Sequence, residues 1–133
     1  MISPKHIAAI NQLPEAELVA VCDIIKERAD NIAKETNCKA YQSYEDFLKE
    51  DLDVVSISVP SGLHAEMSIK ALEAGKNVLC EKPMALDIKD TKKVIEAEQK
   101  SNKKFFLVKQ NKYNPPVAAL KDAIFHNKLG DLI

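Results

Sequence analysis

Glu81-Lys82-Pro83 follows directly on Asn77-Val78-Leu79-Cys80, a short apolar run that reads as a buried strand. Ligands of α/β sheets bind at the carboxyl ends of the strands, so a lysine there could act as an acid or as a charged hydrogen-bond donor. The proline after it stiffens the loop that carries it. Asp23 stands in the same relation to the run Leu18–Cys22. An acid there can accept hydrogen bonds from a nucleotide ribose, and its charge would repel a 2′-phosphate, or it can simply cap the next helix.

Pro60-Ser61-Gly62-Leu63-His64 follows a third strand-like run, Val54–Val59, and can either contact a ligand or start the next helix. Lys109-Gln110-Asn111-Lys112-Tyr113-Asn114-Pro115 follows a fourth, Phe105–Val108. Its donors and acceptors suit a hydroxyl-rich substrate, although Asn and Pro also make ordinary turns. Cys22, Cys38 and Cys80 show no CxxC spacing, so no metal site is expected, and Cys22 and Cys80 at strand ends read as small buried hydrophobes rather than reactive or disulfide-forming thiols.

The elements that must position these groups alternate along the chain. Ser3-Pro4 opens a helix with an apolar face of Ile7, Ala8, Ile10 and Leu13. Leu18–Cys22 is a strand, Ile25 to Glu35 an amphipathic helix, and Ala40-Tyr41 a very short strand. Ser43-Tyr44-Glu45-Asp46 resembles a capping box for a short helix through Phe47 and Leu48. The β-branched run Val54–Val59 is a central strand, stopped by Pro60. A helix from Leu63 to Ala74 closes at Gly75, and the strand Asn77–Cys80 follows. Asp87 caps a helix bearing Ile88, Thr91, Val94, Ile95 and Ala97. After the strand Phe105–Val108, Asn114-Pro115-Pro116 breaks the chain before a helix from Val117 to His126. Lys128–Ile133 predicts a turn entering a further strand. Strands and helices in this alternation predict an α/β fold with a doubly wound parallel sheet.

With 133 residues the chain suits one domain. Nineteen basic and twenty acidic residues, for a net charge of −1, argue against a nucleic-acid or membrane-surface binder. No run approaches the roughly 18 apolar residues of a membrane helix, and the N-terminus lacks a signal-peptide core, so a cytoplasmic location is the expectation.

Val21-Cys22-Asp23, Val59-Pro60-Ser61 with His64, Glu81-Lys82-Pro83 and the tract Gln110 to Pro115 together resemble the N-terminal domain of the Gfo/Idh/MocA oxidoreductases. The resemblance implies a Rossmann-like domain for NAD, with NADP disfavoured by Asp23, and a sugar or sugar nucleotide whose secondary hydroxyl is oxidised. It implies that Asp23 holds the adenosine ribose and that Pro60, Ser61 and His64 line the cofactor cleft. Lys82, between Glu81 and Pro83 in a peptide that is often cis in relatives, would sit by the nicotinamide and the reacting hydroxyl as the catalytic group. Gln110 would contact cofactor, and Asn111 and Tyr113 substrate. The tract Lys109–Pro115 looks most like enzymes acting on UDP-N-acetylglucosaminuronic acid. A homo-oligomeric parent enzyme is implied as well.

Two departures accompany the resemblance. The family's first strand and Gly-x-Gly loop have no counterpart here, since Ile2-Ser3 aligns just past the second glycine. Residues 1–129 therefore correspond to a partial dinucleotide-binding domain, and 130–133 to the start of a substrate domain that is not included. In the strand order 3-2-1-4-5-6 the absent strand is central. Its roughly three large side chains are worth about 5–9 kcal/mol, against a domain stability of about 5–15 kcal/mol. The chain alone is expected to be unstable, or the strands Leu18–Cys22 and Val54–Val59 to shift together, with negligible NAD binding and no activity. The alternative is a non-catalytic partner that pairs with a separately encoded strand or subunit. An unrelated doubly wound binding domain, such as a flavodoxin-like module, would need an acidic or phosphate-binding cluster at the first strand's end, and none is visible.

Overall fold

The computed structural model describes residues 3–131. Six α-helices and five strands follow one another as α1 (Ser3–Ile10), β1 (Ala20–Cys22), α2 (Lys26–Thr36), β2 (Lys39–Tyr41), α3 (Tyr44–Phe47), β3 (Val54–Ile57), α4 (His64–Glu73), β4 (Asn77–Cys80), α5 (Ile88–Ser101), β5 (Phe105–Leu107) and α6 (Pro115–Phe125), with 3-10 turns at Ser61–Leu63 and Gln110–Tyr113.

The expected caps are in place. Ser43 Oγ accepts the Asp46 amide at 3.1 Å, and Asp87 Oδ1 accepts that of Asp90 at 2.7 Å. After α4, Gly75 takes φ +75°, where a side chain would be strained, and its amide donates to Leu72 O at 2.9 Å. α1 ends at Ile10, so Leu13 lies in the following turns and is half exposed rather than on the helix face. α6 starts at Pro115, not at Val117. The first helical turn needs no donated N–H, so both prolines fit inside it, behind Asn114. The strand expected through Leu132-Ile133 lies outside the described residues.

All strand pairs are parallel. Ala20 pairs with Lys39, Val54 with Asn77 and Val78 with Phe105. They do not form one sheet. β1–β2 stand as one pair, and β3–β4–β5 as a separate triplet. The expectation that the flanking strands shift together is not met, because β1 and β3 face each other across a cavity of about 880 Å³. With a neighbour on one side only, β1 keeps three paired residues instead of the five expected.

The core sits beside this cleft. Val55, Ile57, Leu72, Val78 and Cys80 are buried, and Phe47 stacks on Tyr44 with ring centroids 5.9 Å apart. Complete burial of side chains such as Ile57 and Val78 contributes roughly 1.5–3 kcal/mol each. α2 packs on β1 and β2, while α4 packs on β3, β4 and α5. These contacts hold the carboxyl tips of β1, β3 and β4, which carry the candidate site residues.

Candidate active site

The tip of β4 is built around Glu81, which is 5% exposed. His6, from α1, places Nε2 2.9 Å from Glu81 Oε1 and Nδ1 2.7 Å from Ser56 Oγ. A neutral ring that donates from Nε2 and accepts the Ser56 hydroxyl satisfies all three groups. The Lys82 amide donates to the other Glu81 oxygen at 3.2 Å. Glu81 thus holds the backbone from which Lys82 projects, and it faces protein rather than solvent. Sequence reasoning missed His6. Its signal was a titratable side chain one position before Ile7 and one turn before Ile10, on the inner face of α1.

The Lys82–Pro83 peptide is cis, as the resemblance implies. The next carbonyl, Pro83 O, lies 2.6 Å from His64 Nδ1, and His64 Nε2 is 2.9 Å from Val59 O. Both partners are acceptors, so a neutral His64 bonds only one at a time and the doubly protonated ring bonds both. This departs from the expected place of His64 on a cleft wall. The ring is 1% exposed and ties the β3 tip to the loop after β4. The helix that begins at His64 carries the ring inward.

Lys82 is exposed and borders a cavity of about 570 Å³ with Val108, Lys109, Gln110, Asn111 and Lys112. Three of the expected residues, Lys82, Gln110 and Asn111, therefore converge. Tyr113 does not join them. It is largely exposed, and the Lys112 ammonium lies 5.9 Å from its ring centroid. Asp23 and Pro60 lie on the other cavity, the one between β1 and β3. Ser61 opens the 3-10 turn that precedes α4.

Asp23 Oδ1 accepts the Ile25 amide at 2.8 Å, so it does cap its own loop. A carboxylate accepts several hydrogen bonds, and a ribose hydroxyl fits beside that bond. The phosphate end of a dinucleotide fares differently. Glycine is needed where backbone N–H groups approach a pyrophosphate at a helix N-terminus. Among the described residues Gly62 lies before α4, while Gly75 and Gly130 take φ of +75° and +68° far from α1. Asp23 keeps acceptor capacity for a hydroxyl beside its Ile25 bond, and the described residues supply no glycine cradle for phosphates.

Cys22 and Cys80 stay protonated at neutral pH. Burial pushes the thiols of Cys22 and Cys80 up, and nearby Asp23 and Glu45 raise Cys22 further.

Parallel strands alternating with helices, with a lysine loop at one strand tip and an acid at another, define an α/β domain of Rossmann-like architecture. The chain belongs to the Gfo/Idh/MocA family, an oxidoreductase family with an NAD-binding Rossmann fold, which matches residues 1–109. It is 36% identical to inositol 2-dehydrogenase of Salmonella typhimurium over 98% of this chain and 40% of that protein. Glucose-6-phosphate 3-dehydrogenase of Bacillus subtilis is 26% identical over 99% of this chain and 37% of its own length. The WlbA dehydrogenase of Bordetella pertussis, solved with NADH and UDP-GlcNAcA, superposes with a TM-score of 0.93 at 35% identity, covering 97% of this chain and 40% of that one. The chain spans about 40% of the length of these relatives. No described helix is long and apolar enough to cross a membrane.

Proposed function

We propose that the chain is the nucleotide-binding portion of an NAD-dependent dehydrogenase that oxidises a secondary hydroxyl of a polyol, sugar or sugar nucleotide. The observation that carries this reading is the convergence of Lys82 with Gln110 and Asn111 around one cavity at the sheet's carboxyl edge. In it, Lys82 hydrogen-bonds the reacting hydroxyl and helps its proton leave as the carbinol hydrogen departs as hydride. NAD, when bound, supplies the hydride acceptor. Asp23 holds the adenosine ribose and disfavours NADP. Pro60 and Ser61 flank the cofactor, with His64 acting through the loop that it ties down. Glu81 and Pro83 fix the backbone on either side of Lys82. Gln110 contacts the cofactor and Asn111 faces the substrate, while Tyr113 lies outside that cavity and takes no part in this reading.

The tract Lys109–Pro115, and the likeness to a dehydrogenase solved with UDP-GlcNAcA, favour a UDP-sugar over a free polyol. Three free thiols suit a reducing, cytoplasmic location. A homo-oligomeric complete enzyme belongs to the same reading.

The test is NADH formation by the complete gene product with UDP-GlcNAcA, myo-inositol or glucose 6-phosphate. At least one substrate should turn over, and Lys82→Met should lower kcat by about 10²–10⁴-fold. An undiminished kcat in Lys82→Met would remove the catalytic assignment.

A further inference from the structure

The loop after β1 is held at three points. The Asp23 amide donates to Tyr41 O at 3.1 Å, Asp23 Oδ1 accepts the Ile25 amide at 2.8 Å, and Gln42 Nε2 donates to Ile24 O at 2.9 Å. Gln42 follows directly on β2, as Asp23 follows on β1, so the two stand at the same carboxyl edge. Asp23, Ile24 and Gln42 all border the cavity between β1 and β3.

The Gln42 amide has one orientation. A backbone carbonyl only accepts, so Ile24 O must meet the nitrogen arm. The oxygen arm of the planar group is thereby fixed as an acceptor turned away from that carbonyl. Beside it Ile24 is 83% exposed, an apolar side chain that gains from being covered by an apolar face.

A fixed acceptor next to an apolar platform has the chemistry to read a purine. Adenine offers a flat apolar face and an exocyclic amino donor, whereas a 6-oxopurine such as hypoxanthine carries an acceptor oxygen at that place. Turning the amide over to serve the oxygen would set Gln42 Oε1 against Ile24 O, two acceptors opposed. A site that presents a fixed hydrogen-bond group rejects the analogue that cannot pair with it.

We propose that Gln42 selects the base of the cofactor. Its Oε1 accepts from the amino group of a 6-aminopurine whose ring covers Ile24, and the Ile24 carbonyl enforces the choice by holding the amide. This rests on the reading that Asp23 holds the ribose to which the base is joined.

Calorimetry on the complete gene product compares NADH with reduced nicotinamide hypoxanthine dinucleotide, which differs in carrying oxygen in place of the amino group. NADH should bind about tenfold more tightly or better, the worth of one hydrogen bond. Gln42→Leu should abolish that preference, mainly by weakening NADH. Asp23→Ala should weaken both dinucleotides by a similar factor and keep the preference, because both carry the ribose. Equal affinities in the unaltered protein, or a preference that survives Gln42→Leu, would overturn the proposal and leave the dehydrogenase reading standing. Failure of both dinucleotides to bind would overturn the two together.

Discussion

His6 Nε2 lies 2.9 Å from Glu81 Oε1, and through that contact α1 grips the loop that carries Lys82. The ring also meets Ser56 on β3, so one side chain links the first helix to the tips of two strands. The pair is mostly buried, and a buried group left without its partner costs about 1–3 kcal/mol.

His6→Ala should therefore destabilise the chain by about 1–3 kcal/mol in urea unfolding. Its effect should not add to that of Glu81→Gln, with a coupling of about 0.5–3 kcal/mol in a double-mutant cycle. Additive effects would show that the contact carries no energy.

His64→Leu should leave the carbonyls of Val59 and Pro83 without their ring partner. We expect a loss of about 1–3 kcal/mol and faster amide exchange at Lys82 and Met84 than at Val78. Unchanged exchange in the loop would mean that it holds itself without His64.

Stability should fall on both sides of neutrality. Burial raises the Cys22 and Cys80 thiols and the Tyr44 phenol. An acid raised by folding contributes stability that is complete below its unfolded value, about 8.5 for Cys and about 10 for Tyr, and lost as pH climbs toward the folded value. Urea midpoints should thus drop from about pH 9 upward, and Cys22→Ala should soften the first part of that drop. On the acid side, Lys49 and Ser43 lower Asp46, and Lys39 and Tyr41 lower Glu50. Their support is present above the usual carboxylate range of about 4 and is lost as pH falls through the lowered values. Asp46 is exposed and Glu50 pairs with the exposed Lys39 ammonium, so the acid arm should be shallow and weaken further in salt.

The chain by itself should melt below about 50 °C and show no NADH binding at micromolar concentrations by calorimetry. The first expectation follows from the facing edges of β1 and β3, each strand being paired on one side only, the second from the lack of a glycine cradle at α1 among the described residues. A cooperative transition above that temperature, or micromolar affinity, would contradict them.

Much of this was legible from residue order. Ser43, Asp87 and Gly75 mark helix ends because capping is local chemistry, settled within four residues. The runs at β1, β3, β4 and β5 reveal strands because short apolar runs rich in β-branched and aromatic residues fit a pleated, packed surface. Glu81-Lys82-Pro83 pointed to the site for the same reason: a strand's end is a local event. Strand lengths were less legible, since pairing depends on neighbours that are distant in sequence.

Sequence alone determined the alternation of elements, the parallel pairing it requires and which residues cap the strand tips. Tertiary structure decided which of those residues meet. It turned His64 inward between two carbonyls, recruited His6 from 75 residues away to hold Glu81, left Tyr113 in solvent and kept β1 apart from β3. Periodicity assigns a side chain to a face of its own element. Only packing of the elements against one another assigns it a partner.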